Sequence, residues 1–201
     1  MIWDTFAGIY DMAETIYNKE VYTNLGRRVA QEIDEGDVVL ECACGTGVIS
    51  KYIAPKCRLL VATDLSKGML AEAQKNCDNL NNIKFRYADI TNINCRDERF
   101  DKVVAGNVIH LLDEPYKAIN ELMRVCKTGG KVIIPTYINN ESSSQQLAAD
   151  ALRLAGVDFK HEFDFESYKE FFREGGYEDT KFDVIRGRMD CAIAVITKKQ
   201  A

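Results

Sequence analysis

The sequence predicts a doubly wound α/β fold: a seven-stranded, mostly parallel sheet with a C-terminal antiparallel hairpin and a small helical cap. Three observations predict it. Short apolar runs of strand length alternate with segments whose apolar residues recur every three or four positions. Turn-forming glycine, proline and asparagine stand at the changes between them. The chain then finishes in two strand-like runs joined by a short turn. Strands alternating with helices require right-handed βαβ crossovers, and these bury a parallel sheet between two helical layers.

Taken in order, residues 14–33 space Tyr22, Leu25, Val29 and Ile33 three or four apart, an amphipathic helix ending before Glu35-Gly36-Asp37. The run VVLECA is a buried strand, closed by the loop Ala43-Cys44-Gly45-Thr46-Gly47, after which VISKYI resumes helical spacing. CRLLVATD is the second strand. Ser66 can cap the helix that follows, which carries Met69, Leu70, Ala73 and Cys77 on one face. IKFRYAD and FDKVVAGN are strands three and four. Pro115 suits the first turn of a helix with the stripe Ile119, Leu122, Met123 and Cys126, expected to stop at Gly129-Gly130 before the fifth strand, KVIIPTYI. Two more helices are expected, from Ser142 to Ala155 and from Glu166 to Arg173, the second ended by Gly175-Gly176. YEDTKFDVI and MDCAIAVITKK, separated by Arg186-Gly187-Arg188, form the closing hairpin.

Composition narrows the partners. The chain has 201 residues, 46% hydrophobic, enough for one well-buried core. Its formal net charge of −5 argues against a nucleic-acid surface, whose affinity depends on clustered Lys and Arg. The first residues lack a basic leader, and no window approaches about eighteen uninterrupted apolar residues, so a cytoplasmic chain without membrane insertion is expected. Seven cysteines with no export signal read as thiols rather than a disulfide framework. Cys42-x-Cys44 lacks zinc-ligand spacing and straddles a strand end whose side chains point to opposite faces, so no metal site is expected.

The glycine loop carries the chemistry. A dinucleotide site needs G-x-G-x-x-G, but Gly45-Thr46-Gly47 is followed by Val48, Ile49 and Ser50. No lysine sits in the loop to pair a phosphate, and Glu41 would repel one. An anionic entrance suits a ligand with positive charge, such as a sulfonium and an α-ammonium group.

Four ordered motifs carry a resemblance. VLECACGTG, VATDLSKGML, FRYADI and the stretch from FDKVVAGNVIHLLDEP to ELMRVCKTGGKVII resemble those of the class I S-adenosylmethionine-dependent methyltransferases, in particular the small-molecule branch that includes ubiquinone- and menaquinone-biosynthesis-like enzymes. The resemblance covers about residues 38–135 and implies a Rossmann-like fold. It also implies S-adenosyl-L-methionine as cofactor, S-adenosyl-L-homocysteine as product, and a small-molecule methyl acceptor. One domain is expected, with a helical cap over 1–35, a cofactor-binding core over 37–138, a lid over 139–165, and a helix and hairpin over 166–201.

The same resemblance implies roles. Glu41, Ala43, Cys44, Gly45 and Gly47 form the loop around the methionine half of the cofactor. Ala43 stands where the family has glycine, and binding is retained if this residue takes β geometry. Asp64 would accept the ribose hydroxyls, or else support a helix start as an N-terminal acid. Leu65 and Met69 would flank the adenine, with core packing the other reading for Met69. Asp89, beside Ile90, would receive the adenine amino group or serve as a turn aspartate. Asn107, after strand four, would offer an oxygen to the ammonium end, and Tyr10 would close over the cofactor. His110 is the candidate general base, or an ordering residue; His161 is the weaker choice. Trp3, Phe6, Tyr10, Tyr17 and the 139–165 insert would set acceptor specificity. The competing functions are an RNA or protein methyltransferase, a metalloid methyltransferase using several cysteines, and a non-catalytic S-adenosylmethionine-binding protein.

Overall fold

The computed structural model describes residues 19–139 and 158–200. Its seven strands are β1 (Val38–Cys42), β2 (Leu59–Asp64), β3 (Ile83–Tyr87), β4 (Phe100–Ala105), β5 (Cys126–Ile138), β6 (Lys181–Ile185) and β7 (Asp190–Thr197). They form one sheet in the order β3-β2-β1-β4-β5-β7-β6. β3, β2, β1, β4 and β5 run parallel, while β7 pairs antiparallel with both β5 and β6. The expected doubly wound sheet and closing hairpin are therefore both present.

Strand alternation sorts the core onto two faces. Leu40, Cys42, Val103 and Ile134 pack with Ile119 and Leu122 of α4 (Pro115–Val125) and with Tyr168 and Phe172 of α5 (Phe165–Glu174). Val39, Leu60, Ala62, Val104 and Ile133 pack with Leu25 and Val29 of α1 (Lys19–Ala30), Ile53 of the short α2 (Ser50–Ile53) and Ala73 of α3 (Lys67–Asn76). Each fully buried leucine or isoleucine contributes roughly 1.5–3 kcal/mol, so both layers are well anchored. Cys42 and Cys44 fall into opposite clusters, although alternation alone would put residues two apart on one face: Cys44 lies past the end of β1, after Ala43 at φ +52°.

Two boundaries differ from expectation. α1 ends at Ala30 rather than Ile33, in a turn where Ile33 N–H donates to Ala30 O, although the Ile33 side chain stays buried. α4 stops at Val125, and residues 126–130 are strand rather than helix end. Cys126 pairs with Phe100 across a bulge, Gly129 N–H donates to Lys198 O, and Lys198 N–H donates to Gly130 O. Sheet pairing on both sides outweighs the helix-ending character of the glycine pair. The expected helix over 142–155 lies outside the described residues, as do Trp3, Phe6, Tyr10 and Tyr17.

The reversal of strand order beside β1 matters most. The connection from β1 runs to β2 on one side and the chain later returns to β4 on the other, opening a crevice at the carboxyl ends of β1 and β4.

Candidate functional site

The crevice holds a cavity of about 260 Å³, and its floor is the loop after β1. That loop is tied to its neighbours through backbone. Cys44 N–H donates to Thr63 O at 2.9 Å and Gly47 N–H donates to Cys44 O at 2.9 Å. Ala43, Gly45 and Gly47 all take positive φ, +52°, +54° and +85°. The β geometry expected for Ala43 is thus wrong: three alternate left-handed residues are needed to curl the loop around the strand end. Ala43, Cys44 and Gly45 line the cavity, but Gly47 does not. Gly47 faces α3 instead, where a Cβ would stand 3.0 Å from Cys77 Sγ, so its glycine serves packing behind the loop.

Asp64, at the end of β2, also lines the cavity and accepts two backbone bonds, from Gly45 N–H at 2.9 Å and Ser66 N–H at 2.8 Å. Ser66 in turn caps α3 by accepting from Met69 N–H at 3.1 Å. Asp64 thus supports the helix start and the loop, and it also lines the cavity. Asp89 is similar. Its Oδ1 accepts from Thr91 N–H and Thr91 Oγ1, both at 2.8 Å, a turn role, while the residue lines the cavity beside Ile90. Leu65, Met69 and Asn107 line it too. Asn107 sits at φ +52° and donates its N–H to Pro135 O at 2.8 Å, which fixes the turn out of β4.

Glu41 is the most unusual group. It is 2% exposed, lines the cavity, and accepts a 2.5 Å bond from Ser50 Oγ. Burial, and secondarily the charge of Asp64, push its carboxyl up to about 8, against the pull of Ser50. The described lining contains three carboxylates, Glu41, Asp64 and Asp89, and no lysine, arginine or histidine. Such a site disfavours phosphate and favours a cationic ligand.

His110 does not meet its expectation among the described residues. It lies in a single 3₁₀ turn (Ile109–Leu111), not an open loop, and is absent from the cavity lining. Its ring stacks on Phe159 with centroids 5.6 Å apart, and Nδ1 is buried with no hydrogen-bond partner among the described residues. Burial, with a smaller push from His161, holds it down at about 4. Tyr10 lies outside the described residues.

The cysteines behave as packing. Cys42 is pushed up to about 12 by burial, and Cys57 and Cys126 to about 11 by the same cause. No group of three or more His, Cys, Asp or Glu side chains among the described residues could hold a metal.

Some lining residues were not singled out from sequence. Tyr22, assigned to a helix stripe, reaches the cavity and hydrogen-bonds Tyr137 through the two hydroxyls. Gly106 also lines it; a Cβ there would come within 2.5 Å of Ile49 Cδ1. Leu111 and Leu112 supply an apolar end. Ser50, nine residues after Glu41 in the first turn beyond the loop, could have been found from the rule that a buried carboxylate needs a donor.

An open sheet of this strand order, with an antiparallel β7 and a curled loop at the switch point, defines the class I Rossmann-like methyltransferase architecture. Residues 40–134 match the family described as Methyltransferase domain, and over this stretch the chain is similar to S-adenosylmethionine-dependent methyltransferases. It is 29% identical over 136 residues to demethylmenaquinone methyltransferase of Clavibacter sepedonicus, covering 66% of this chain and 55% of that one. It is 32% identical over 139 residues to malonyl-acyl-carrier-protein O-methyltransferase of Marinomonas sp. MWYL1, covering 60% of this chain and 51% of that one. The chain thus spans about half the length of these relatives. In fold it is similar to phosphoethanolamine N-methyltransferase 2 of Haemonchus contortus, solved with phosphomonomethylethanolamine and S-adenosylhomocysteine. The TM-score is 0.75 at 16% identity, covering 98% of this chain and 58% of that one.

The cavity fits the cofactor of this class. A Cβ on Gly45 would meet nothing within 4 Å, so the loop's backbone lies open to a ligand, and the carboxylate set suits a molecule bearing two positive groups.

Proposed function

We propose that the chain transfers a methyl group from S-adenosylmethionine to a small, partly apolar molecule. The observation that carries this reading is the cavity at the switch point, floored by the positive-φ loop and lined by three carboxylates with no described basic residue. When bound, the cofactor supplies an electrophilic methyl carbon on a sulfonium. In this reading Asp64 accepts the ribose hydroxyls, Asp89 takes the adenine amino group, and Leu65, Met69 and Ile90 flank the ring. Glu41 and Asn107 face the methionine end, and the loop backbone at Ala43, Cys44 and Gly45 holds it.

The protein's contribution is alignment and exclusion of water, since in-line displacement gains most from orientation, roughly 7–11 kcal/mol at best. Val108, Leu111 and Leu112 line the cavity beyond Asn107, and with Tyr22 they give the acceptor an apolar berth with one hydroxyl. His110 packs rather than catalyses: its ring stacks on Phe159, and a group held at about 4 is a weak base at neutral pH. The relatives named for menaquinone, malonyl-acyl-carrier-protein and, at 30% identity, phosphatidylethanolamine methylation support a small-molecule or lipid-like acceptor. The net charge of −5 supports a non-nucleic-acid acceptor. Among the described residues no helix is long and apolar enough to cross a membrane.

Calorimetry tests the reading. S-adenosylhomocysteine should bind and NAD should not. Asp64→Ala should weaken the former about tenfold to a few hundredfold, because charged hydrogen bonds are worth roughly 1.5–3 kcal/mol each. Unchanged affinity in that variant removes the ribose role. Phenol, amine and thiol acceptors are then screened by following product S-adenosylhomocysteine.

A further inference from the structure

Glu41 sits in an unusual position for a carboxylate. Alternation along β1 places it on the face of Val39, at the strand's end, where it is 2% exposed and lines the cavity. Its hydrogen-bond partner is the Ser50 hydroxyl at 2.5 Å, and among the described residues no cation pairs with it. A buried carboxylate with one neutral donor has little to hold a negative charge, so an incoming positive charge decides its state.

Among the described residues, the groups acting on Glu41 from neighbouring elements add no positive charge. Asp64 at the end of β2 contributes a second negative charge. Cys42 and Cys44 flank it along the chain, Cys77 stands at the end of α3 and Cys57 lies beyond α2. Burial keeps all four thiols protonated well above neutral pH. Lys51 of α2 acts on Cys77, and its side chain is exposed. β4 contributes Val104, register partner of Glu41, and no titratable group there. From α1 the lining residue is Tyr22.

The cofactor and its product differ by one charge. S-adenosylmethionine carries a sulfonium; S-adenosylhomocysteine carries a neutral thioether at the same atom. Resting on the reading that this cavity holds S-adenosylmethionine, we propose that Glu41 sets the enzyme's preference between charged cofactor and uncharged product by giving up its proton when the sulfonium binds and regaining it after transfer. The exchange balances: one proton leaves to solvent on cofactor binding, and one returns from solvent when the sulfonium becomes a thioether. The raised value of about 8 makes this exchange available near neutral pH. Selectivity against product is then a property of the first strand's acid, not only of the methyl group's shape.

Titration calorimetry of both ligands from pH 6 to 9, each in two buffers of different ionisation enthalpy, tests the proposal without any turnover. The ratio of affinities, S-adenosylmethionine over S-adenosylhomocysteine, should rise with pH by several-fold, at most about tenfold per unit, and level off above about 8. At pH 7 the sulfonium ligand should release up to about one proton more than the thioether. The ligands' own α-amino groups also titrate, with ordinary values near 7.7–8.0, but they do so equally in the isosteric variant Glu41→Gln. That variant should lose the extra proton and flatten the remaining slope. Ser50→Ala, which removes the one donor favouring the charged form, should move the midpoint to higher pH. Both ligands binding with equal proton counts, or a slope that survives in Glu41→Gln, overturns the role of Glu41 while leaving the cofactor reading intact. No binding of either ligand at any pH overturns both.

Discussion

Ala43 holds a φ of +52°, a conformation that costs a non-glycine residue roughly 1–2 kcal/mol. The cost is imposed from both sides. Asp64 grips Gly45 N–H, and Cys44 N–H is bound to Thr63 O, so the backbone at Ala43 has no freedom to relax into β geometry. Replacing it by glycine relieves the strain but adds unfolded-state entropy worth about 0.4–1 kcal/mol. The net expectation for Ala43→Gly is a gain of about 0.5–1 kcal/mol, a rise in melting temperature of about 1–4 °C for a chain of this size. A fall in melting temperature would mean that the methyl group, packed against the core that includes Leu40 and Val103, contributes more than the strain costs. The residue scale is where the sequence spoke least clearly. The identity of the loop residues was legible, but the backbone angle at Ala43 depends on Thr63 and Asp64, some twenty positions away. The burial of His110 likewise depends on Phe159 and Tyr137, which arrive from other elements.

At the scale of elements, period and punctuation carried the reading. The strand residues of β1 to β4 and the faces of α3 and α5 were legible because burial on one or two sides imposes its own spacing. The start of β5 was not, because Lys127-Thr128-Gly129-Gly130 has the chemistry of a helix end, and only pairing to β4 and to Lys198 makes it strand. A second hidden feature is Lys102. A lysine inside a strand run that is otherwise buried reads as an error until Asp37 and Asp34 are brought to its Nζ, at 2.7 and 3.0 Å. The Lys102 and Asp37 side chains are only 10% and 12% exposed, so this pair is desolvated and ties β4 to the turn entering β1. Lys102→Met should cost about 3 kcal/mol, the lower end for stranding a buried partner, since Asp37 keeps its bond from Asp34 N–H. Adding Asp37→Leu should recover most of the loss, because removing both charges leaves none buried alone. Chemical denaturation of the two variants and their combination reads this. A single-variant cost below about 1 kcal/mol would show the pair to be as weak as a surface bridge.

For the whole molecule, two buried groups with opposite displacements set the stability of the ligand-free protein near neutral pH. Glu41, ordinarily near 4.5, keeps its proton up to about 8 in the folded state. Between those values the folded protein binds more protons than the unfolded chain, so Glu41 makes stability fall as pH rises. His110, ordinarily near 6.5, stays neutral down to about 4. There the unfolded chain binds more protons, so His110 makes stability fall as pH drops from about 6.5 to 4. The two effects oppose each other below about 6.5 and leave Glu41 alone above it. From pH 6.5 to 8 the ligand-free protein should therefore lose about 2 kcal/mol, at a slope of up to about 1.4 kcal/mol per unit, before the buried thiols begin to titrate. In melting temperature this is a fall of about 4–8 °C across that window. Glu41→Gln should flatten the curve there, while His110→Leu should leave that window unchanged and remove the decline between 6.5 and 4 that belongs to the imidazole. Melting curves of the three proteins across pH 4.5 to 8 decide it: a wild-type protein equally stable at 6.5 and 8 would mean that Glu41 is already charged in the empty cavity, held so by a group other than Ser50.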